Sequence, residues 1–211
     1  TRFADTRQLH RVAAPMAQRE QLTFASEPVS IALYAPDGSS LLFEKDSGGN
    51  EVDQIYALTN GQPKLLTDGK SRNSLGPWSS NGKLVAFGSN KRTGLYNDIY
   101  LMNPANPDGA RMLVASTGGG WFPIDFSPDD KQLLVFNYVS VTDNQLYLID
   151  ITQGSLRKLT DSSVPVAYEG LQFAPDGRLW AASDDGSDVK RLGIVNLETS
   201  LFEPLVDEKI W

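Results

Sequence analysis

The chain has 211 residues, no cysteine and one histidine, and its 19 Lys and Arg against 26 Asp and Glu give a net charge of −7. An acidic surface repels phosphate backbones, which excludes nucleic acid as a partner, and no apolar run is long enough to predict a membrane as a partner. The absence of cysteine excludes disulfides, cysteine zinc sites and a thiol nucleophile, and it fits either the cytoplasm or the periplasm.

The first segment, residues 1–24, carries two short strand-like runs. Their apolar positions stand at fixed distances from later ones, because Leu9 precedes Ile55 by 46 residues and Leu22 precedes Leu66 by 44. The segment is therefore predicted to form the two outer strands of a partial repeat whose inner strands are absent.

Four segments then share a pattern in which an aromatic strand enters a tight polar turn and an apolar run follows. The last turn residues, at positions 38, 82, 130 and 177, are 44, 48 and 47 residues apart. In a Pro-Asp-Gly turn, proline presets φ and glycine accepts a positive φ, so the turn between two apolar runs predicts a β-hairpin. The segments lie at 34–43, 78–87, 126–136 and 173–182.

Two further patterns keep nearly the same period. A third strand begins at Ile55, Ile99, Leu146 and Leu192, with steps of 44, 47 and 46 residues. A short closing strand ends each unit, at Leu66, Leu113, Leu159 and Leu205. Three independent registers with one period indicate a true internal repeat.

Four antiparallel strands every 44 to 48 residues are typical of a propeller blade. The sequence thus predicts an all-β fold, a β-propeller portion with four complete repeats and a partial one. An open arc exposes two apolar faces, so we expect the chain to belong to a longer propeller and to self-associate when expressed alone. The predicted units are a partial blade at 1–24, repeats at about 25–67, 68–114, 115–160 and 161–206, and the start of another at 207–211.

Short motifs within these repeats resemble a known family. Gln-Leu-His-Arg-Val at 8–12 and Gln-Leu-Thr-Phe at 21–24 are similar to the N-terminal propeller of the prolyl oligopeptidase family of serine peptidases, of the dipeptidyl or acylaminoacyl peptidase kind. Leu-Leu-Phe-Glu-Lys-Asp at 41–46 and Ser-Asp-Asp-Gly at 183–186 are similar to its bacterial members. The resemblance covers essentially the whole chain.

The resemblance implies an enzyme in two parts, in which a propeller caps an α/β-hydrolase domain and admits only peptides. The implied partners are that C-terminal hydrolase domain and peptide substrates, and no cofactor is expected. The family's catalytic Ser, Asp and His belong to the hydrolase domain. This chain has no Gly-x-Ser-x-Gly motif and no histidine after His10, so no catalytic residue is carried over and the chain alone is predicted to be non-catalytic.

One residue is a candidate for substrate binding. Glu169 follows Tyr168 just before an inner strand, where propeller loops can face a docked domain. Some relatives hold the amino terminus of a substrate with propeller carboxylates, through charge-assisted hydrogen bonds. The resemblance therefore implies this role for Glu169, although the sequence shows a single glutamate there instead of a paired acidic motif.

Other conspicuous residues receive structural interpretations. His10 falls where later repeats have tyrosine, so it is interpreted as a strand residue, and no metal site is predicted. The acidic stretch 184–188 suggests calcium, but it lacks the spaced ligands of a calcium loop and is interpreted as a solvated turn. The turn at 129–130 has the same interpretation. The glycines at 118–120 have no phosphate-loop context, and we expect them to let the backbone change direction.

Two functions remain open from the sequence. The first is a non-catalytic propeller that gates access to a hydrolase domain outside this sequence. The alternative is a stand-alone propeller that binds a protein partner, as the propeller of the Tol system does.

Overall fold

The computed structural model describes residues 2–3, 6–160 and 164–205, and these ranges contain strands and turns without a helix. Four antiparallel sheets of four strands each follow one another along the chain, after two short strand pairs. This arrangement confirms the predicted all-β propeller fold with four blades and a partial one. The predicted further unit at 207–211 lies outside the described residues. In the part that is described, no helix qualifies as a membrane span.

Strand order follows chain order in every sheet. The N-terminal pairs are β1 (Arg2–Phe3) with β2 (Thr6–Arg7) and the N-terminal hairpin, β3 (His10–Val12) with β4 (Arg19–Gln21). Blade 1 contains β5 (Val29–Tyr34), β6 (Leu41–Lys45), β7 (Gln54–Thr59) and β8 (Gln62–Leu65). Blade 2 contains β9 (Asn73–Trp78), β10 (Val85–Ser89), β11 (Asp98–Asn103) and β12 (Asn106–Val114). Blade 3 contains β13 (Gly120–Phe126), β14 (Gln132–Ser140), β15 (Asp143–Asp150) and β16 (Leu156–Lys158). Blade 4 contains β17 (Tyr168–Phe173), β18 (Leu179–Ser183), β19 (Arg191–Val195) and β20 (Phe202–Pro204).

The turn between the first and second strands ends in the same left-handed conformation in every blade. The last turn residue has a φ of 71° at Gly38, 69° at Gly82, 57° at Asp130 and 86° at Gly177. Glycine adopts this conformation without steric cost, as predicted from the turn sequence. Asp130 is the exception, and it is held there by contacts described below.

The three apolar cores of the described residues lie between successive blades, so blades 2 and 3 contribute to a core on each of their faces. Leu133 and Leu134 are adjacent in β14 and both fully buried. Because successive strand residues point to opposite faces, Leu133 packs into the core shared with blade 2 and Leu134 into the core shared with blade 4. A third core, which includes Leu42 and Phe87, joins blades 1 and 2. Each blade therefore depends on its neighbours for burial of its faces.

The N-terminal hairpin repeats the outer half of a blade. In blade 1, Thr67 Oγ1 accepts a hydrogen bond from the Ile55 amide at 3.1 Å, where the third strand begins. In the hairpin, Thr23 Oγ1 accepts the Leu9 amide at 2.9 Å in the same way. The hairpin thus has the two outer strands that the sequence predicts for a partial repeat.

The alternation of strand direction gives the molecule two distinct faces. One carries the connections between blades and the loops between second and third strands, and we call it the interblade face. The other carries the turns between first and second strands and between third and fourth strands, and we call it the turn face. Glu169, the candidate substrate-binding residue, lies at the interblade end of β17.

Candidate functional site at the interblade face

Glu169 is exposed on the interblade face and has a cationic partner. Lys190, in the loop between β18 and β19, donates from Nζ to Glu169 Oε2 at 2.9 Å. The two side chains are 60% and 37% exposed, so solvent screens the pair. The adjacent Tyr168 points the other way, is buried, and donates from its hydroxyl to Asp185 Oδ2 at 3.4 Å. Burial first, and the Asp185 carboxylate second, raise the pKa of Tyr168. Glu169 is therefore the accessible carboxylate at the start of this strand.

The acidic stretch at 184–188 forms a turn that fastens blade 4 to the preceding connection. Asp184 Oδ1 accepts the Ala167 amide at 2.8 Å, and the Asp185 carbonyl accepts a hydrogen bond from Arg191 at 2.7 Å. Gly186 takes a φ of 68° within this turn. Among the residues that the structure describes, no three His, Cys, Asp or Glu side chains are placed to share a metal ion.

The three glycines at 118–120 turn the chain into the innermost strand of blade 3. Gly118 and Gly119 have φ values of 152° and 77°, and the Trp121 indole donates to the Gly118 carbonyl at 2.8 Å. A Cβ on Gly119 would lie 2.5 Å from Asn137 Oδ1. The prediction that these glycines allow a change of direction is confirmed.

Asp130 does more than the solvated turn that the sequence suggests. Its two carboxylate oxygens accept the Ser80 amide at 2.6 Å and the Asn81 amide at 2.9 Å, both in the turn of blade 2. These two hydrogen bonds hold the turns of blades 2 and 3 together. The turn is present as interpreted, but the contacts of Asp130 with blade 2 were not predicted, because the bonds link residues about 50 positions apart and leave no local pattern. The only sequence signal is an aspartate where three other turns have glycine.

Two further carboxylates, of buried Glu44 and half-buried Asp125, make the same kind of contact between blades. Glu44 in β6 accepts the Leu75 amide of blade 2, and Asp125 in β13 accepts the Phe173 amide of blade 4 at 2.8 Å. Burial raises the pKa of both carboxyl groups, against the lowering effect of these hydrogen bonds. Their hydrogen-bonding capacity is used within the blade stack, so we assign them to structure.

A buried carboxylate paired with a partly exposed arginine, on the interblade side of blade 2, is the strongest polar cluster that sequence reasoning missed. Asp98 is fully buried and receives two hydrogen bonds of 2.8 Å from Arg92, one from Nε and one from Nη2. The Ser116 amide donates to Asp98 Oδ1 at 2.8 Å, and Arg92 donates to the Ser116 carbonyl at 2.7 Å. Burial alone would raise the pKa of Asp98, but these hydrogen bonds hold it below its usual value. The cluster joins the loop that carries Arg92, the strand β11 that begins at Asp98 and the connection to blade 3 that carries Ser116.

His10 lies in β3, opposite Gln21 of β4 in the N-terminal hairpin. Burial and the neighbouring Arg19 lower its pKa. This strand position agrees with its interpretation as a replacement for the tyrosines of later blades.

Comparison with known proteins identifies the family to which this chain belongs. No family profile matches the chain. The uncharacterized peptidase YuxL of Bacillus subtilis is 30% identical over 151 residues, which are 69% of this chain and 22% of YuxL. A prolyl endopeptidase structure superposes with a TM-score of 0.77 over 96% of this chain and 33% of its own, at 16% identity. This chain is a propeller of the prolyl oligopeptidase family.

Other propellers share the fold of this prolyl oligopeptidase-family propeller. TolB from Acinetobacter baumannii superposes with a TM-score of 0.65 over 90% of this chain and 46% of TolB, at 17% identity. At that identity the likeness shows the fold alone. The chain also spans only about a fifth of YuxL and a third of the prolyl endopeptidase chain.

Proposed function

We propose that this chain is the non-catalytic propeller portion of a serine peptidase and controls access to an α/β-hydrolase domain. The observation that carries the proposal is the 30% identity with a protein named as a peptidase, over more than two thirds of this chain. The chain supplies no nucleophile elbow, so the chemistry belongs to a domain outside it.

The physical basis for gating is the arrangement of the innermost strands. The strands β5, β9, β13 and β17 lie side by side in chain order, so their exposed side chains face one axis. Phe122, Glu169 and Gln172 are exposed on these strands. In the proposed function, a passage along this axis would admit an extended peptide and exclude a folded protein. The superposed prolyl endopeptidase, for which inter-domain dynamics are reported to act in catalysis and specificity, also supports the proposal.

An activity probe tests the proposal directly. In the full-length protein that contains this chain, a fluorophosphonate probe should label one serine, and that serine should lie outside residues 1–211. The 211-residue chain and heat-denatured full-length protein serve as controls and should remain unlabelled. A labelled serine within the chain, or an unlabelled full-length protein that binds a protein partner instead, would contradict the proposal and favour the scaffold alternative.

Glu169 gives the proposed site a testable specificity. If its carboxylate holds the amino terminus of a peptide, Glu169→Gln should raise KM for free-amine peptides about tenfold, equivalent to about 1.4 kcal/mol. In this structure Lys190 Nζ lies 2.9 Å from the Glu169 carboxylate and would compete with a substrate amine for it. Lys190→Gln should therefore lower the KM for free-amine peptides. Amino-terminally acetylated peptides provide the control, because neither variant should change their KM. Equal effects on free and acetylated peptides would show that Glu169 acts through structure alone.

A further inference from the structure

An exposed aliphatic residue recurs at the tip of the loop between second and third strands in three consecutive blades. Leu95 is 74% exposed, Val141 79% and Val189 56%. They are 46 and 48 residues apart, so they follow the period of the propeller repeat. The three tips therefore occupy corresponding positions on one face of the molecule, the interblade face.

The apolar character of this face extends beyond the three tips. The strands β14 and β15 have nine and eight residues, against five or six for their counterparts in the other blades, so the blade 3 hairpin is the longest. Tyr138 and Val139 near its tip are 43% and 51% exposed. Val164, in the connection from blade 3 to blade 4, is 62% exposed. It borders an open groove of about 470 Å³ whose other wall is the acidic turn of blade 4.

The corresponding inner turns on the opposite face are polar. Each turn between first and second strands ends in Asp-Gly, Asn-Gly or Asp-Asp, and two of them are followed by Lys and one by Arg. On the turn face the exposed residues Leu156 and Leu201 lie at outer turns, whereas the interblade face repeats an exposed aliphatic residue in three successive blades. Exposed apolar residues that recur on one face are the pattern expected of an interaction surface. We call Leu95, Val141 and Val189 the aliphatic tips.

Chain direction indicates what covers the aliphatic tips. In every blade the first strand begins at the interblade face and the fourth strand, such as β20, runs back toward it. A polypeptide that enters or leaves a complete blade therefore does so on this face, and not on the turn face. The YuxL peptidase is several times longer than the part that this chain matches.

We infer that the aliphatic tips form the surface against which the hydrolase domain packs. This inference rests on the proposed function, because it assigns a position to the domain proposed there. The tips come from three blades that share continuous cores, so contact with all three would fix the orientation of the domain over the axis of the propeller. Serine side chains at the three tips would keep the fold and weaken the docking.

Cysteine accessibility measures the docking in the full-length protein. The chain has no cysteine, so Leu95→Cys, Val141→Cys and Val189→Cys each introduce one thiol into it. The matched controls are Leu156→Cys and Leu201→Cys, at residues that are 42% and 63% exposed and lie toward the turn face. A maleimide should modify the three tip thiols about tenfold more slowly than the controls, since a docked domain must open before they react.

Each outcome has a distinct meaning. Slow modification of all three tips, independent of protein concentration, supports the inference. Tip thiols that react as fast as the controls in a protein that the fluorophosphonate probe labels would overturn the inference and leave the proposed function intact. Protection that disappears on dilution would also overturn it, because a second copy would then be the covering partner. A protein that the probe does not label contradicts the proposed function, and with it the identity of the docked domain.

Discussion

Replacement of Asp98 by alanine should lower the free energy of unfolding by about 3 kcal/mol, near the lower end of the cost of breaking a buried ion pair. Asp98 is fully buried, while the Arg92 side chain is 36% exposed and can regain some hydration, which keeps the loss near that end. The variant also removes the acceptor for the Ser116 amide, a buried donor that then has no partner. Urea-induced unfolding followed by tryptophan fluorescence measures the change.

The control for this variant is an ion pair on the surface. Arg11 and Glu20 approach to 2.6 Å, but both side chains are 57% exposed. Glu20→Ala should therefore change stability by less than about 1 kcal/mol. Removal of both partners in blade 2, by Arg92→Leu with Asp98→Leu, should recover part of the loss because no uncompensated charge remains. Equal stability of the Asp98→Ala and Glu20→Ala proteins would contradict the assignment.

The Asp98 contribution should also depend on pH in a defined direction. The pKa of Asp98 is lower in the folded chain than in the unfolded chain, where aspartate titrates near 3.9. Folding therefore favours the ionised form, and the stabilisation is fully present above the unfolded pKa. It is lost as the pH falls through the lower, folded pKa. The difference in stability between wild type and Asp98→Ala should shrink in acid below about pH 4.

The strand pattern could be predicted from the sequence because its signals are local. Pro-Asp-Gly turns such as the one ending at Gly38 specify a hairpin within a few residues, and the repeat then places all later strands. Contacts between blades could not be predicted in this way. Asp98 occupies the position where blade 1 has Gln54, so the repeat indicates a polar residue but not its ion pair with Arg92.

The fourth blade shows how a repeat position can change without loss of packing. Its third strand has Gly193 where the earlier blades have Tyr56, Tyr100 and Tyr147. Phe202 of the next strand occupies the vacant space, since a Cβ on Gly193 would lie 2.5 Å from its ring. The Phe202 ring meets Tyr168 edge-on, with centroids 6.3 Å apart. The aromatic side chain has thus moved to the neighbouring strand, and the repeat alone gives no sign of it.

The contacts of Glu169 could not be predicted from the sequence either. The sequence placed it before an inner strand, but its pairing with Lys190 depends on a loop 21 residues away. The sequence shows that Leu95, Val141 and Val189 recur with the period of the repeat. Their exposure to solvent could not be predicted from the sequence, because a valine in a strand-rich sequence is usually interpreted as a core residue.

Gly76→Ala should destabilise the chain by about 1–3 kcal/mol, the usual cost of inserting atoms into a packed interior. A Cβ at this position in β9 would lie 2.5 Å from Pro123 Cγ in the innermost strand of blade 3 and 2.6 Å from the Ala86 carbonyl oxygen. Neither neighbour is the flexible end of a long side chain, so β9 must shift away both from β10 of its own blade and from the innermost strand of blade 3. Urea unfolding of the variant measures the cost.

Gly109→Ala is the matched control, since both glycines lie in strands of blade 2. A Cβ on Gly109 meets only Asn106, with its nearest atom the side-chain Nδ2 at 3.2 Å, and that side chain can rotate away. Pro123→Ala in the Gly76→Ala background removes one of the two clashes and should restore part of the stability, whereas the Ala86 carbonyl is backbone and remains. If Gly76→Ala were as stable as Gly109→Ala, blades 2 and 3 would not approach as closely as the shared core requires. Because that core also supports the loops carrying Leu95 and Val141, the same variant should weaken the proposed docking surface through the scaffold beneath it.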